Sequence, residues 1–335
     1  MPVIGYYKAL ADKIVDCNGV EMKDTQIIMI KIAKMYYQQG LTQTEISKRL
    51  GISRPTISRL MQDALDQGIV RIEIANIPGD SSELMHALQK KFDLDEAIVV
   101  DVNCPMTYEG VSHALGIVAA DYFHRVVKDG DIIGLTWGSA LASMVKHLGQ
   151  EKKPHCLVVQ LVGGLGSPNT NTHATELVSK TATALGGKMS LMPAPGVVGS
   201  VDSANLLISD PQIHKALELA GKTDVAFVGI GATGYNPFLM RNEEIITMAE
   251  MERIRAQGAV GDISLHFYDK EGLEIDSEFH RRVIGVSYDV LKRIPRVVGI
   301  AGGEDKYHAI LGAVQGKLLN TLITDQSTAQ KLLEE

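Results

Sequence analysis

Apolar residues first recur at helical spacing and then, further along the chain, in short continuous runs. Residues 24–39, DTQIIMIKIAKMYYQQ, fit one amphipathic helix that stops at Gly40. Thr42 opens a second helix, and Glu45 three residues on completes a capping box. Ile46 and Leu50 share its inner face, and Gly51 sits where a tight helix-to-helix turn needs positive φ. Ser53 is a good N-cap for a third helix, and Pro55 falls in the first turn, where a missing N–H costs nothing. Ile57, Leu60, Met61 and Ala64 then repeat at i, i+3, i+4 and i+7, and Gly68 ends the pattern. The alternation in IVRIEIAN (69–76) predicts a short strand, and NIPGDSS (76–82) has linker composition.

Beyond this point the period shortens. AIVVD (97–101), DIIGLTWG (131–138), CLVVQLVGG (156–164), KMSLMPAP (188–195), DVAFVGIG (224–231), DISLHFYD (262–269), RVVGIAGG (296–303) and NTLITD (320–325) read as strands. Helical stretches such as 110–127 and 173–187 separate most of them. Near-continuous apolar strands that end in glycine and alternate with helices predict a parallel sheet covered on both faces. Ligands in such folds lie beyond the carboxyl ends of the strands.

Composition narrows the class. The 335 residues, 45% hydrophobic and 22% charged, suit a globular protein of two domains. No apolar run is long enough to span a membrane and no signal peptide is evident, so a cytoplasmic protein without a membrane partner is expected. Cys17, Cys104 and Cys156 are far apart and read as reduced thiols. The net charge is −7, yet residues 1–78 hold 10 basic and 8 acidic side chains. Within 42–62, Lys48, Arg49, Arg54 and Arg59 face Glu45 alone. A globally acidic chain is no general nucleic-acid coat, but it can carry one local DNA-reading element.

Thr42 to Met61 has the spacing of a helix-turn-helix: two helices, a glycine turn and apolar residues at Ile46, Leu50, Ile52, Ile57 and Leu60. With the apolar stripe buried, the free face of the third helix carries Pro55, Arg59 and Gln62, flanked by Thr56 and Ser58. Arg suits guanine, Gln suits adenine, and Ser or Thr serves bases or phosphates. Asp63 and Asp66 would repel phosphate, which leaves the first two turns, with Ser53 and Arg54, as the usable part. Thr42 and Gln43 are candidates for backbone phosphates. The bland alternative is an ordinary basic helical hairpin.

A second constellation lies at the glycine-rich strand ends. In GLTWGSAL (134–141), backbone N–H groups and the hydroxyls of Thr136 and Ser139 would form an anion cradle at a helix start, with Trp137 as a pocket wall; a tight turn without ligand is the alternative. GIGATG (229–234) matches GxGxxG, but Asn236-Pro237 follows where a helix must begin, so it is read as pocket rim and no dinucleotide cofactor is expected. Lys306, in the first turn of a helix after Gly302-Gly303, is an unfavourable cation unless an anion lies near. Asp262 at a strand start could bind a sugar hydroxyl or cap a turn. The ten histidines show no metal-ligand spacing, so no metal is expected.

In order, GLTQTEISKRLGISRPTISRLMQDALDQGIVRIEI, IIGLTWGSAL, LVVQLVGGLG, LMPAPGVV, AFVGIGA, GAVGDISLHFYD and VVGIAGGEDKYHAILGAVQGKLLNTLITD resemble the SorC/DeoR family of sugar-binding bacterial transcriptional regulators, over about residues 24–325. The resemblance implies a winged helix-turn-helix (24–78) joined to a Rossmann-like, phosphosugar-isomerase-like α/β domain (79–335) for effector binding and oligomerisation; residues 1–23 fall outside it. It implies homotetramers on operator DNA and a phosphorylated sugar or polyol as effector. It places the effector among Thr136, Trp137, Gly138, Ser139, Gln160, Gly163, Gly164, Asn171, His173, Asp262 and Lys306. Some relatives with bisphosphorylated effectors carry arginine where this chain has Val162, which favours a monophosphate. The expected function is a regulator of a sugar or polyol catabolic operon, without catalysis. The rival is a phosphosugar isomerase-like enzyme with a DNA module, for which Asp262 and Lys306 are the only candidate catalytic pair.

Overall fold

The computed structural model describes residues 24–71, 81–102, 107–164, 174–234 and 245–334. The chain forms two units, residues 1–78 and 79–335.

In the first unit, α1 (Asp24–Ala33), α2 (Gln43–Leu50) and α3 (Arg54–Asp66) enclose a small core of Met29, Ile32, Met35, Ile46, Leu50, Ile57, Leu60, Met61 and Ala64. The helix expected over 24–39 is not uniform. Its last turn, Lys34–Gln38, widens into a π-helix in which Gln39 N–H reaches back to the carbonyl of Lys34 and Leu41 N–H to that of Met35. The wider turn keeps Met35 in the core while Tyr36 and Tyr37 stay exposed. Residues 69–71 are not strand, and 72–80, which hold most of the expected wing and linker, lie outside the described residues.

The second unit is built on a seven-stranded parallel sheet in the order β1-β10-β9-β5-β2-β3-β4. Its strands are β1 (Glu96–Val100), β2 (Ile132–Leu135), β3 (Leu157–Gln160), β4 (Lys188–Ser190), β5 (Val225–Gly229), β9 (Arg296–Ile300) and β10 (Thr321–Asp325). Side-chain alternation sends Val225, Phe227, Val298 and Ile300 into one core, and Ala226, Val228 and Val297 into the other. The first core is covered by α5 (Tyr108–Val126), α6 (Ser139–His147) and α7 (Ala174–Leu185). The second is covered by α4 (Ser82–Phe92), which the sequence reading did not single out, with α9 (Pro211–Ala220), α11 (Tyr288–Arg293), α12 (Tyr307–Gln315) and α13 (Gln326–Glu334). Two further helices, α8 (Val201–Ile208) and α10 (Met248–Ala256), pack in smaller apolar clusters of their own.

The strand expected over 262–269 is a hairpin outside the main sheet. β7 (Gly261–Ile263) and β8 (His266–Tyr268) join β6 (Gly231–Ala232) in a three-stranded antiparallel sheet. Ser264 and Leu265 turn the chain with φ of 58° and 68°. Positive φ at two non-glycine residues is strained, and no Asn-Gly or Asp-Gly pair announces the turn. The Asp262 carboxylate steadies it by accepting the Leu265 N–H at 3.3 Å.

Helices α5 and α6 cross unusually closely. A Cβ on Gly116 would stand 2.3 Å from Ser143 Cβ and 2.7 Å from the Met144 nitrogen, so only glycine allows the approach. Gly116→Ala is therefore expected to lower stability by about 1–3 kcal/mol, seen as a lower urea midpoint of the full chain. A wild-type midpoint would refute this packing.

Candidate functional site

The helix-turn-helix is held by local hydrogen bonds that its sequence spells out. Thr42 Oγ1 accepts from Glu45 N–H, and Glu45 accepts from Thr42 N–H at 2.8 Å. These bonds hold the Glu45 carboxyl below its ordinary pKa, the backbone N–H of Thr42 being the largest cause. Gly51 turns the chain at φ 68°, and the Ser47 hydroxyl donates to the Ile52 carbonyl at 2.7 Å, which fixes the turn. Ser53 caps α3: its Oγ accepts from Thr56 N–H and lies 2.7 Å from Thr56 Oγ1. Pro55 sits in the first turn of α3.

Ser53, Arg54, Pro55, Ser58, Arg59 and Gln62 are exposed, and Thr56 is half-buried. Thr42 is exposed at the start of α2, while Gln43 is half-buried with its amide near Met61 Sδ. Gln62 donates to Asp66 at 3.0 Å, so reading a base would require it to leave that partner. The outward face of α3 thus combines basic and neutral hydrogen-bonding groups over its first two turns, as a helix entering a major groove requires.

In the second unit the chain runs outward from β2 to β3 and β4, then returns to place β5 on the other side of β2. In parallel sheets such a reversal is where a ligand crevice forms, beyond the carboxyl ends of the strands, here β2 and β5. Thr136 directly follows β2 there. It is buried, and its hydroxyl accepts the Gly229 N–H at 3.2 Å, stapling the two strand ends together. A Cβ on Gly229 would lie 2.8 Å from the Trp137 carbonyl, so the seam closes only over glycine. Trp137 is half-buried against the apolar cluster of Val162, Ile246 and Phe267.

Gly138, at φ 140°, starts α6 with no side-chain cap. Ser139 follows, and its hydroxyl donates to Tyr108 Oη at 3.0 Å and lies 2.8 Å from Ser112 Oγ. Lys306 is not in the first turn of a helix, as expected, but in a 3-10 turn (Glu304–Lys306) that leads into α12. The geometry follows from Gly303, at φ 97°, whose N–H is held at 2.7 Å by the buried carboxylate of Asp325. Burial pushes the Asp325 pKa up, but bonds from Ser327, Thr328 and Gly303 outweigh it and hold the carboxyl below its usual range. The Lys306 ammonium lies 5.3 Å from the centre of the Tyr108 ring.

Gln160 ends β3 and is buried. Its Oε1 accepts from Met192 N–H at 3.4 Å and Thr175 Oγ1 at 3.5 Å, while Nε2 has no hydrogen-bond partner among the described residues. Asp262 stands opposite Gly231 in the small sheet, which brings it to the end of β5. Its Oδ1 is buried and likewise without a partner among the described residues. Burial raises the carboxyl pKa to about 6, against the pull of Leu265 N–H and of the Lys306 and His266 charges.

Gly163 and Gly164 serve as wall and not as donors. Their N–H groups go to the carbonyls of Ile284 and Ala194, and a Cβ on Gly163 would meet the Pro195 carbonyl at 2.5 Å. Asn171 and His173 lie outside the described residues. GIGATG opens β6 and no helix, so its glycines permit pairing with the Asp262 strand. The structure therefore brings Thr136 to Ser139, Gln160, Asp262 and Lys306 to the carboxyl edge of the sheet. It adds Tyr108 and Ser112, which sequence reasoning passed over because the first turn of α5 carries no motif.

Among the described residues no helix is long and apolar enough to cross a membrane. A family model described as a putative sugar-binding domain matches residues 78–334, and one described as sigma-70, region 4, matches residues 31–67. The chain is similar to the deoxyribonucleoside regulator of Bacillus subtilis (strain 168), 34% identical over 93% of this chain and 99% of that one. It is also similar to the sorbitol operon regulator of Klebsiella pneumoniae, 32% identical over 94% of this chain and 100% of that one. The crystal structure of the full-length sorbitol operon regulator SorC from Klebsiella pneumoniae superposes with a TM-score of 0.72 at 31% identity, covering 93% of this chain and 100% of that one.

The buried Asp262 gives stability a pH dependence. Below the ordinary carboxyl pKa of 3.8 the folded and unfolded chains are both protonated there, and the group's favourable contribution is complete. It is lost as pH rises through about 6, because the folded state must then ionise a buried carboxyl. Asp262→Asn is expected to gain on wild type by about 1–3 kcal/mol between about pH 4 and about pH 7 in urea unfolding. A gap independent of pH would refute the buried-acid account.

Proposed function

This chain belongs to the SorC family of sugar-binding transcriptional regulators, and on that premise we propose that a sugar or polyol monophosphate controls its binding to operator DNA. It is a DNA-binding regulator with an N-terminal helix-turn-helix and a larger parallel-sheet sugar-binding domain. The α3 face from Ser53 to Gln62 is the proposed reader, with Arg59 directed at a guanine and Arg54 at phosphate. Homotetramers in the cytoplasm, acting on a sugar or polyol catabolic operon, complete the proposal. Relatives named for sorbitol and deoxyribonucleosides support carbohydrate-linked regulation in general.

One observation carries the effector reading. Asp262 Oδ1, an acceptor, and Gln160 Nε2, a donor, are both buried without a partner among the described residues at the carboxyl edge of the sheet. Buried polar atoms left unmade cost about 1–3 kcal/mol each, and sugar hydroxyls, which donate and accept, would satisfy both. At the same edge the uncapped start of α6 and the Lys306 ammonium favour an anionic group. The residue before the glycine pair, Val162, is fully buried in an apolar cluster and offers no second phosphate site. Asn171 and His173 remain proposed contacts on the strength of the family resemblance. Effector can shift DNA affinity only by binding the two conformations unequally.

Arg59→Ala is expected to weaken binding to the chain's own promoter DNA by about 1–3 kcal/mol, measured by fluorescence anisotropy at fixed salt. Wild-type affinity would remove Arg59 from the readout. In a panel of sugar and polyol monophosphates, at least one should raise the thermal midpoint of wild type without being converted, and Lys306→Ala should lose the shift. Turnover of any panel member would overturn the reading of a sensor without catalysis.

A further inference from the structure

The anion-holding end of the crevice is occupied by its own side chains. Ser139 donates to Tyr108 Oη at 3.0 Å, so the 2.8 Å contact between Ser139 and Ser112 leaves Ser112 as the donor to Ser139. The Lys306 ammonium rests 5.3 Å from the centre of the same Tyr108 ring, while the neighbouring Glu304 turns to Lys331 at 2.5 Å. Tyr108, the first residue of α5, is thus the common partner of a hydroxyl relay from α5 and α6 and of the cation at the start of α12. Its side chain is 57% exposed, whereas Ser112 is 8% exposed. The cap of α5 does not involve Tyr108, since Thr107 Oγ1 accepts the Gly110 N–H. Displacing the ring would therefore open no core cavity and uncap no helix, but moving Ser112 would disturb packing.

We propose that Tyr108 is a specificity-determining gate of the effector site, holding Ser139 and Lys306 until an anion with enough acceptors displaces it. The inference rests on the reading above that the crevice takes a phosphorylated sugar. When Tyr108 leaves, the Ser139 hydroxyl, still supported by the donating Ser112, and the Lys306 ammonium become available together. One hydroxyl and an ammonium with three N–H donors can serve all three non-bridging oxygens of a phosphate monoester, whereas a carboxylate offers two oxygens. Release of Tyr108 is thus compensated by phosphate and not by carboxylate, and the strength of its hold sets the effector concentration to which the regulator responds. The buried atoms of Asp262 and Gln160 that lack a partner among the described residues, at the same sheet edge, mark the neighbouring space as one for a ligand.

The test is calorimetric titration of the full-length protein with inorganic phosphate, and with acetate in parallel. Tyr108→Phe removes the acceptor of the Ser139 hydroxyl and keeps the ring under Lys306, so phosphate should bind about two- to tenfold more tightly than to wild type. Tyr108→Ala also frees Lys306 and should gain a further factor of about two to five. Acetate should bind more weakly than phosphate to all three. Damage to the fold would weaken binding, so tightening with an unchanged unfolding midpoint separates a gate from a structural role. Phosphate affinity unchanged or reduced in the Tyr108→Phe protein overturns the gate, even if Tyr108→Ala fails to fold. If Lys306→Ala abolishes phosphate binding at the same time, the sugar-phosphate reading survives without it. No phosphate binding by wild type, or wild-type binding by Lys306→Ala, overturns both.

Discussion

The seam between β2 and β5 is the constraint on which the rest of the effector unit depends. The chain reverses its direction of winding there, so helices α6 and α12 begin on the same edge of the sheet from opposite faces. Closure requires the Thr136 hydroxyl to reach Gly229 N–H and the Trp137 carbonyl to fill the space a Cβ would take. A hydrogen bond between buried groups and a missing side chain thus fix where two helix starts and a lysine converge. The surroundings reinforce the position. Asp325 holds Gly303, which aims Lys306, and the Gly231 pairing carries Asp262 to the same rim. Each of these supports is an interior contact, so the open edge is preorganised by the core beneath it.

The DNA-binding unit solves a different problem, since its core is small. Nine buried apolar side chains are held in register by caps and a left-handed glycine turn, not by a large packed interior. The Thr42 and Ser53 hydroxyls each accept a backbone N–H at the starts of α2 and α3, while Arg54, Ser58 and Arg59 stay exposed. This unit has a slight basic excess, with 10 basic and 8 acidic side chains in residues 1–78, while the chain as a whole is acidic at −7. Steering toward nucleic acid is therefore local and oriented.

How much of this was legible along the chain depends on the range of the interaction involved. Capping box, turn glycine, N-cap serine and first-turn proline act over three to five residues, and each appears in place in α2 and α3. The π-turn at 34–38 did not show, because helical periodicity is nearly the same for both geometries over five residues. In the larger unit, strand ends and helix starts identified Thr136, Ser139 and Lys306 as edge residues. The roles of Gly163 and Gly164 did not follow, because their N–H groups are taken by segments 30 to 121 residues away in the chain, at Ala194 and Ile284. The hairpin that presents Asp262 was hidden as well, since its strained turn uses Ser264 and Leu265 where a turn signal would use glycine.

By itself, then, the amino-acid sequence determined the local elements: the helical hairpin with its basic face, the alternating strands and helices, and glycines wherever backbones approach. These follow from propensity, periodicity and capping, which act between near neighbours. Tertiary structure alone decided that β5 returns beside β2, that Gln160 and Asp262 each bury one polar atom with no partner among the described residues, and that Tyr108 and Ser112 meet Ser139. Those outcomes depend on strand order and on side chains brought together from positions 27 or more residues apart along the chain, such as Ser112 and Ser139, and no short-range pattern encodes them.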